Sequence, residues 1–407
     1  MDLLWTSAAI IGQVLANAFA SPYFILLLLG LLSGIAWQYQ RNARTSGDLL
    51  EGIWGVSLRA SLISTTLGLL GGVIGSLLLL WTGVDLSRIA IIPLWITALF
   101  LMMINPRYLC FAYSGGLLAL SSLLLGYPRL SIPDLMALIA ILHMLESLLI
   151  FLDGPVYPVP VYVQRGEGVC GGFNLQKFWP VILAVIMQGQ NVFGGPVPVL
   201  GSSAITASIA TVLAVLGYGE ISTAYTPKQK SRRSSLRLFT FSAILLLLAY
   251  LSARWSDFQY LAALFSPLGH EFIIGMGMRE ERRKPPLFAL QSDGIMILSL
   301  QSGSPAARAG LRSGDIILEL GGCPVFNNED MKLALARHRI PVRVDGLRDK
   351  KQFSCSLGFS PQSLRGIILV PDQHCHRVLL LPNDSLLEAS LRPLRRIKSA
   401  IKKSIFR

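Results

Sequence analysis

Charge is scarce in this chain: only 14% of its 407 residues are Asp, Glu, Lys or Arg, against roughly a quarter in an ordinary soluble domain. That deficit excludes a wholly water-exposed globule and places most of the chain in lipid. Cysteine is scarce too. Cys110, Cys170, Cys323, Cys355 and Cys375 are scattered, odd in number and without a C-x-x-C pair, which argues against a disulfide framework and against a structural zinc site. A basic leader is missing, because the chain opens Met1-Asp2. Residues 3–20 therefore read as a short interfacial or half-buried helix rather than a signal peptide. The net charge of +13 could suggest nucleic acid. No aromatic-and-basic recognition motif accompanies it, and its residues sit beside hydrophobic runs and in the last turns of the chain, so no nucleic-acid partner is expected.

What the chain has in abundance is long apolar runs. A bilayer crossing needs about 17–25 such residues, and candidates lie near 22–40, 62–83, 89–104, 109–127, 134–152, 202–219, 236–255 and 258–278. The stretch 178–200 is apolar but interrupted by Gln188, Gln190 and Asn191 and broken at Gly194-Gly195-Pro196; it is either a further span or a re-entrant piece. The expected fold class is an α-helical polytopic membrane bundle of about eight or nine spans followed by a small mixed α/β domain. Three loops are densely basic: Arg41/Arg44/Arg59, Lys228/Lys230/Arg232/Arg233 with Arg237, and Arg279/Arg282/Arg283/Lys284. The positive-inside rule puts all three in the cytoplasm, with an even number of crossings between them. The N-terminus is outside if 22–40 crosses alone and inside if 3–20 crosses as well. Gly68, Gly71, Gly72 and Gly75 give two overlapping G-x-x-x-G spacings, which let neighbours approach closely, either within the chain or at a seam between two copies in a homo-oligomer.

After the last apolar run comes Ser302-Gly-Ser-Pro-Ala-Ala-Arg-Ala-Gly-Leu-Arg-Ser-Gly-Asp-Ile-Ile-Leu-Glu-Leu-Gly-Gly322. Pro305 suits a first helical turn, where its missing N–H would be unpaired in any case. Ala306, Ala307 and Ala309 let a short helix lie flat on a sheet, Gly310 stops it, and Gly314-Asp315 re-aims the chain into a strand. The pattern resembles the central motif of bacterial PDZ domains, which implies a peptide-binding module with no chemistry of its own.

A polytopic protein with such a module raises the question of an intramembrane zinc protease of the site-2 class. That chemistry needs two histidines a helical turn apart with a glutamate between them, plus a third ligand from a downstream L-D-G. His270-Glu271 begins an H-E-x-x-H, but its fifth residue is Ile274. Leu152-Asp153-Gly154 lies upstream of that pair, the wrong order. His143 and Glu146 share a helix face with no third partner in the sequence, and no G-x-S-x-G is present. No catalytic residue, metal or cofactor is expected. Ionisable groups in lipid are costly, so Glu146, His270 and Glu271 read either as buried polar contacts between spans or as part of an ion path. His374-Cys375-His376 are too crowded on an extended strand to chelate well and read as surface.

Two further motifs lie between the apolar runs: Arg165-Gly166-Glu-Gly-Val-Cys-Gly171-Gly172, and Lys177-Phe178-Trp179-Pro180 after it. With the basic segment 227–237 and the late strand 366–370, they give residues 20–371 a layout that resembles the MinJ family, membrane-embedded division-site determinants of Gram-positive rods. The resemblance implies a non-enzymatic scaffold that links a coiled-coil protein of curved poles and septa, DivIVA, to the membrane-bound Min ATPase. The other function classes left open are a PDZ adaptor or secretion component, and a degenerate protease or transporter.

The expected layout is a transmembrane domain over 1–284, a cytoplasmic PDZ domain over 285–371 and a basic tail over 372–407, in a protein of the cell membrane, at septum and poles. A PDZ groove takes a peptide as an added strand beside a helix. The peptide-binding residues expected here are Leu287, Phe288, Ala289 and Leu290 on the strand, hairpinned to 295–300, and Met331, Leu333, Ala334 and Leu335 on a helix over 328–338 capped by Asn327 or Asn328. Met331 and Leu335 read as core, and Leu333 or Ala334 as the groove edge. The segment 284–288 has no glycine, so capture of a free C-terminal carboxylate is not expected; the partners expected are cytoplasmic or membrane-associated division proteins. In the tail, Leu387, Leu391, Leu394, Ile397, Ile401 and Ile405 recur every three or four residues opposite seven Lys and Arg, the pattern of a helix lying on anionic lipid.

Overall fold

The computed structural model describes residues 2–45, 53–166, 168–187, 196–198, 206–301, 303–337, 341–358, 366–371 and 378–380. Six helices open the chain: α1 Asp2–Ala20, α2 Pro22–Thr45, α3 Ile53–Thr82, α4 Ile91–Ile104, α5 Phe111–Leu125 and α6 Ile132–Asp153. A β-rich insert follows, with β1 Val159–Arg165, β2 Gly168–Asn174, β3 Lys177–Met187, β4 Pro196–Pro198, β5 Thr206–Tyr218 and β6 Ile221–Ser222. Two long helices then return, α7 Pro227–Ser252 and α8 Asp257–Arg283. The remaining elements form the small domain and its exit: β7 Ile295–Leu300, α9 Pro305–Arg308, β8 Ile316–Leu320, β9 Cys323–Pro324, α10 Asn328–Arg337, β10 Val342–Arg348, β11 Lys351–Leu357, β12 Ile367–Leu369 and β13 Leu379–Leu380.

Local chemistry sets the helix ends. Ser131 accepts a hydrogen bond from the Asp134 N–H to open α6, and Thr226 with Gln229 forms a reciprocal capping box at α7, with Pro227 behind it. Both satisfy N–H groups that a helix start leaves free. The bundle is apolar on its outside as well as inside: Leu26, Ile92, Phe100, Leu124, Leu247 and Phe272 are all exposed. In water so much contiguous apolar surface would drive association; here it is the face that meets lipid tails. Among the described residues five helices are long and apolar enough to cross a membrane, within α2, α3, α6, α7 and α8. α4 and α5 are apolar but shorter.

One expectation fails. Of the run 202–219, read as a helical crossing, the described part Thr206–Tyr218 is strand β5. The first half of 178–200 is strand β3, paired antiparallel with β5 from Lys177↔Tyr218 to Met187↔Ser208. A strand buried on both faces reads as an unbroken apolar run and cannot be told from a helix by hydrophobicity alone. What distinguishes these two is their Val, Ile and Thr content and, in β3, Pro180, which a helix interior rejects. So the described residues give fewer helical crossings than the eight or nine expected.

β3 also explains the glycines of α3. A Cβ on Gly68 would collide with the Pro180 carbonyl and one on Gly72 with that of Ile182, so the helix can lie against the strand backbone only because these positions carry no side chain. The glycine row is thus used within the chain and is not free to act as a seam between two copies. A buried polar knot fastens the same contact. Asp153 accepts from Trp179 Nε1 at 2.8 Å and from Ser64 Oγ at 2.5 Å. Lys177 Nζ lies 3.5 Å from the same carboxylate, and Tyr39 Oη lies 2.7 Å from Ser64 Oγ. The Lys-Phe-Trp-Pro motif is therefore the part of β3 that ties α2, α3 and α6 together.

Candidate functional site

The small domain is built as its motif requires. Ser304 accepts from the Ala307 N–H to start α9, and Gly310 and Gly314 take positive φ of 88° and 92°, where a side chain would be strained. Asp315 is buried and receives a bidentate fork from Arg348 at 2.8 and 2.7 Å. Asn327 accepts from the Glu329 and Asp330 N–H groups at the start of α10, the cap expected from sequence. Ile297, Ile317, Leu320, Met331, Ala334 and Val344 pack the core.

The sheet runs β11-β10-β8-β7-β12, with β9 on β8. The strand beside β7 is therefore β12, with Ile367 opposite Leu300 and Ile368 opposite Ser299, and the expected hairpin from 287–290 into 295–300 is not formed. Two of those four residues, Leu287 and Phe288, are bonded to the bundle insert instead. The Leu287 N–H donates to the Thr223 carbonyl at 2.7 Å, and the Phe288 carbonyl accepts from the Gly171 N–H at 2.8 Å. Phe288 is buried edge-on against Phe173; Ala289 is half-buried, and Leu287 and Leu290 are exposed. The physical reason is a competing apolar surface: β2 offers the backbone and the aromatic ring that the hairpin would have supplied. On α10, Met331 and Ala334 are buried, Leu333 is 55% exposed at its outer side, and Leu335 lies in the same helix. The outer edge of β12 has no strand partner among the described residues.

Alternation along β7 and β12 divides their side chains between two cores. Ile295 and Ile297 face the small domain, with Ile367 and Leu369 packed against them; Leu298, Ile368 and Val370 belong to the core of the bundle, with Met296 packed against it. Successive strand residues point to opposite faces, so this one sheet is shared. The Arg-Gly-x-x-x-x-Gly-Gly motif is the fastening. One terminal nitrogen of Arg165 donates to the carbonyls of Glu281 (2.6 Å), Arg282 (2.9 Å) and Lys284 (2.6 Å) at the end of α8, and the other to Thr223 Oγ1 (3.2 Å). Gly171 leaves room for Leu298 and Phe288, and Tyr162 Oη donates to the Leu369 carbonyl at 3.0 Å. Beneath this, the Glu281 carboxylate accepts from the Thr223 and Ala224 N–H groups and lies 3.3 Å from Lys230 Nζ. Burial pushes the Cys170 thiol of β2 up to about 11, so it packs as a neutral thiol.

Inside the bundle the structure brings together what the sequence kept apart. Cys110 Sγ lies 3.0 Å from His143 Nε2 and 3.7 Å from His270 Nε2. The third partner missing for His143 is therefore Cys110, held at the start of α5, together with His270 from α8. Glu271 is directed elsewhere and accepts from Arg107 at 2.6 Å and from Tyr113 Oη at 2.7 Å. His374, Cys375, His376 and the tail from 385 lie outside the described residues.

A PDZ domain profile matches residues 273–370. Among curated proteins, the chain is 23% identical to the cell division topological determinant MinJ of Bacillus subtilis over 59% of its own length and 62% of that protein. It is 39% identical to the serine protease Do-like HtrA of Lactococcus lactis over 16% of its length and 17% of that protein. It is 28% identical to a probable periplasmic serine endoprotease DegP-like of Rickettsia conorii over 22% and 24%. The chain thus spans less than two thirds of the length of each. The two protease matches fall in the PDZ portion and bring no catalytic domain with them; the MinJ match extends well beyond it.

Proposed function

We propose that this chain is a non-enzymatic membrane adaptor of cell division, in which a bundle over 1–284 seats a cytoplasmic PDZ module over 285–371 against the inner membrane surface. The observation that carries the reading is the extent of the likeness to the division determinant: it covers 59% of the chain, far more than the PDZ module alone. The partner peptide adds as a strand along the outer edge of β12, which has no strand partner among the described residues, displacing the Tyr162 hydroxyl from the Leu369 carbonyl, because Leu287 and Phe288 are already engaged by the insert. The partners are the polar coiled-coil protein and the Min ATPase that the resemblance implies.

Charge supports the orientation. Lys228, Lys230, Arg232 and Arg233 open α7, and Arg279, Arg282 and Arg283 close α8. The two ends meet through Arg237–Glu280 at 2.6 Å and Lys230–Glu281 at 3.3 Å, and the positive-inside rule assigns that end to the cytoplasm. α4 and α5, with 14 and 15 residues, reach only about 21–23 Å each against a hydrocarbon core of about 30 Å. Whether they cross as two short spans or dip as one pair, the number of helical crossings between the basic residues Arg41–Arg59 and the start of α7 stays even. The tail from 385 adds a second anchor on anionic lipid.

A fluorescent fusion at native expression level is expected to concentrate at septa and poles, and a deletion strain to form filaments or misplaced septa. Uniform membrane fluorescence with normal cell length in the deletion strain would refute the division reading. A peptide of residues 385–407 is expected to sediment with anionic vesicles as a helix and to release as salt rises; an unstructured, unbound peptide at low salt would remove the second anchor.

A further inference from the structure

We propose that Cys110, His143 and His270 hold a zinc ion inside the helical bundle. The three side chains come from the turn before α5, from α6 and from α8, and one ligating atom of each lies within 4.8 Å of the other two. A zinc ion at about 2.3 Å from sulfur and about 2.0 Å from nitrogen separates its tetrahedral ligands by roughly 3.5 Å. The observed sulfur–nitrogen distances of 3.0 and 3.7 Å bracket that value.

The surroundings favour a cation over a simple hydrogen bond. His143 Nδ1 lies 2.7 Å from the Ile139 carbonyl, so Nδ1 carries the proton and the Nε2 lone pair faces Cys110. That is the second-shell contact by which metal-bound imidazoles are usually oriented. A thiol has one proton and can serve one ring. It would satisfy His143 and leave His270 Nε2 with only a weak sulfur contact at 3.7 Å. A dication takes the thiolate and both imidazole lone pairs at once, and Cys110 releases its proton to solvent as it binds. Thiolate with imidazole is a ligand set for zinc or copper rather than for magnesium or calcium. The fourth position falls to water or to Glu146, one turn beyond His143 on the same face of α6. Glu271 is not a ligand, because Arg107 and Tyr113 already engage its oxygens. Such a site clasps α5, α6 and α8, and α8 is the helix that carries the PDZ module.

The test is metal analysis of the full-length protein, purified in detergent without chelator and freed of any affinity tag. About one zinc per chain is expected, falling at least tenfold in Cys110→Ser and His270→Ala. Cobalt exchanged into wild-type protein is expected to show a thiolate-to-cobalt charge-transfer band and the visible bands of a tetrahedral site, both absent in Cys110→Ser. The wild-type cobalt spectrum decides the matter even if a variant fails to fold. Monodisperse wild-type protein that takes up neither zinc nor cobalt, or variants that keep the wild-type metal content, would overturn the site. Stoichiometric copper in place of zinc would overturn the assignment of the ion.

Discussion

Arg165 shows how much one side chain can organise. A helix end leaves its last carbonyls without partners and carries partial negative charge, and this guanidinium supplies donors and positive charge to three carbonyls at the end of α8. Lysine keeps the charge but lacks the planar fork. Arg165→Lys is therefore expected to weaken the local structure by about 1.5–3 kcal/mol, the range for hydrogen bonds to charged groups, which is roughly 10- to 150-fold faster amide exchange over residues 282–288. Exchange at the wild-type rate would show that the contact is incidental. Asp153 is the second such residue, with both it and Lys177 almost fully buried at 0% and 1% exposure. Asp153→Asn leaves the ammonium without its counter-charge, a change of about 3–5 kcal/mol in comparable buried pairs. It should appear as a lower unfolding temperature in detergent and a shift in the emission of Trp179, whose carboxylate acceptor becomes a weaker amide oxygen.

At the scale of elements, the contact of α3 with β3 makes a paired prediction. Gly72→Ala drives a methyl group into a strand carbonyl and is expected to destabilise by about 1–3 kcal/mol. Gly30→Ala in α2, with nothing within 4 Å of the added Cβ, should be neutral or stabilising by up to about 1 kcal/mol. Equal thermal stability of the two variants would contradict the close approach. The same pair of elements marks what the sequence could reveal. Seven of the expected apolar helices were legible, because runs of that length have few alternatives, and so was the PDZ module, because its glycines, proline and aspartate each answer a local backbone demand. The β3–β5 pairing was not, since a strand as apolar as a span has the composition of one. Nor was the Cys110–His143–His270 cluster, whose cysteine stands 33 and 160 residues from its two histidines and is joined to them only by packing. The hairpin of 287–290 onto 295–300 was misplaced because nothing local announces that Leu287 and Phe288 bond to the insert instead.

For the whole molecule, the sheet shared by two cores means that the PDZ module is only half of a folding unit. Cut out as residues 285–371, it would expose Phe288, Leu298, Ile368 and Val370, which are all buried in the intact chain. The excised module is expected to self-associate on size exclusion, and Leu298→Ser with Ile368→Ser to make it more soluble while loosening the full-length protein. A monomeric, stable wild-type fragment would show that the shared sheet is dispensable.

The shared sheet also fixes where a partner can be met. A PDZ module on a flexible tether sweeps a hemisphere and loses that freedom on binding, whereas a seated one has little rotational freedom left to lose. Its β12 edge then lies at one height above the bilayer and one angle to it. Neighbouring copies in the same membrane would present parallel docking lines, and a partner with regularly spaced peptides could bridge them with an effective concentration set by lateral packing rather than by linker length. Such an arrangement responds to how the partner is laid out along the surface: a scattered partner engages one groove at a time, and an ordered array engages many.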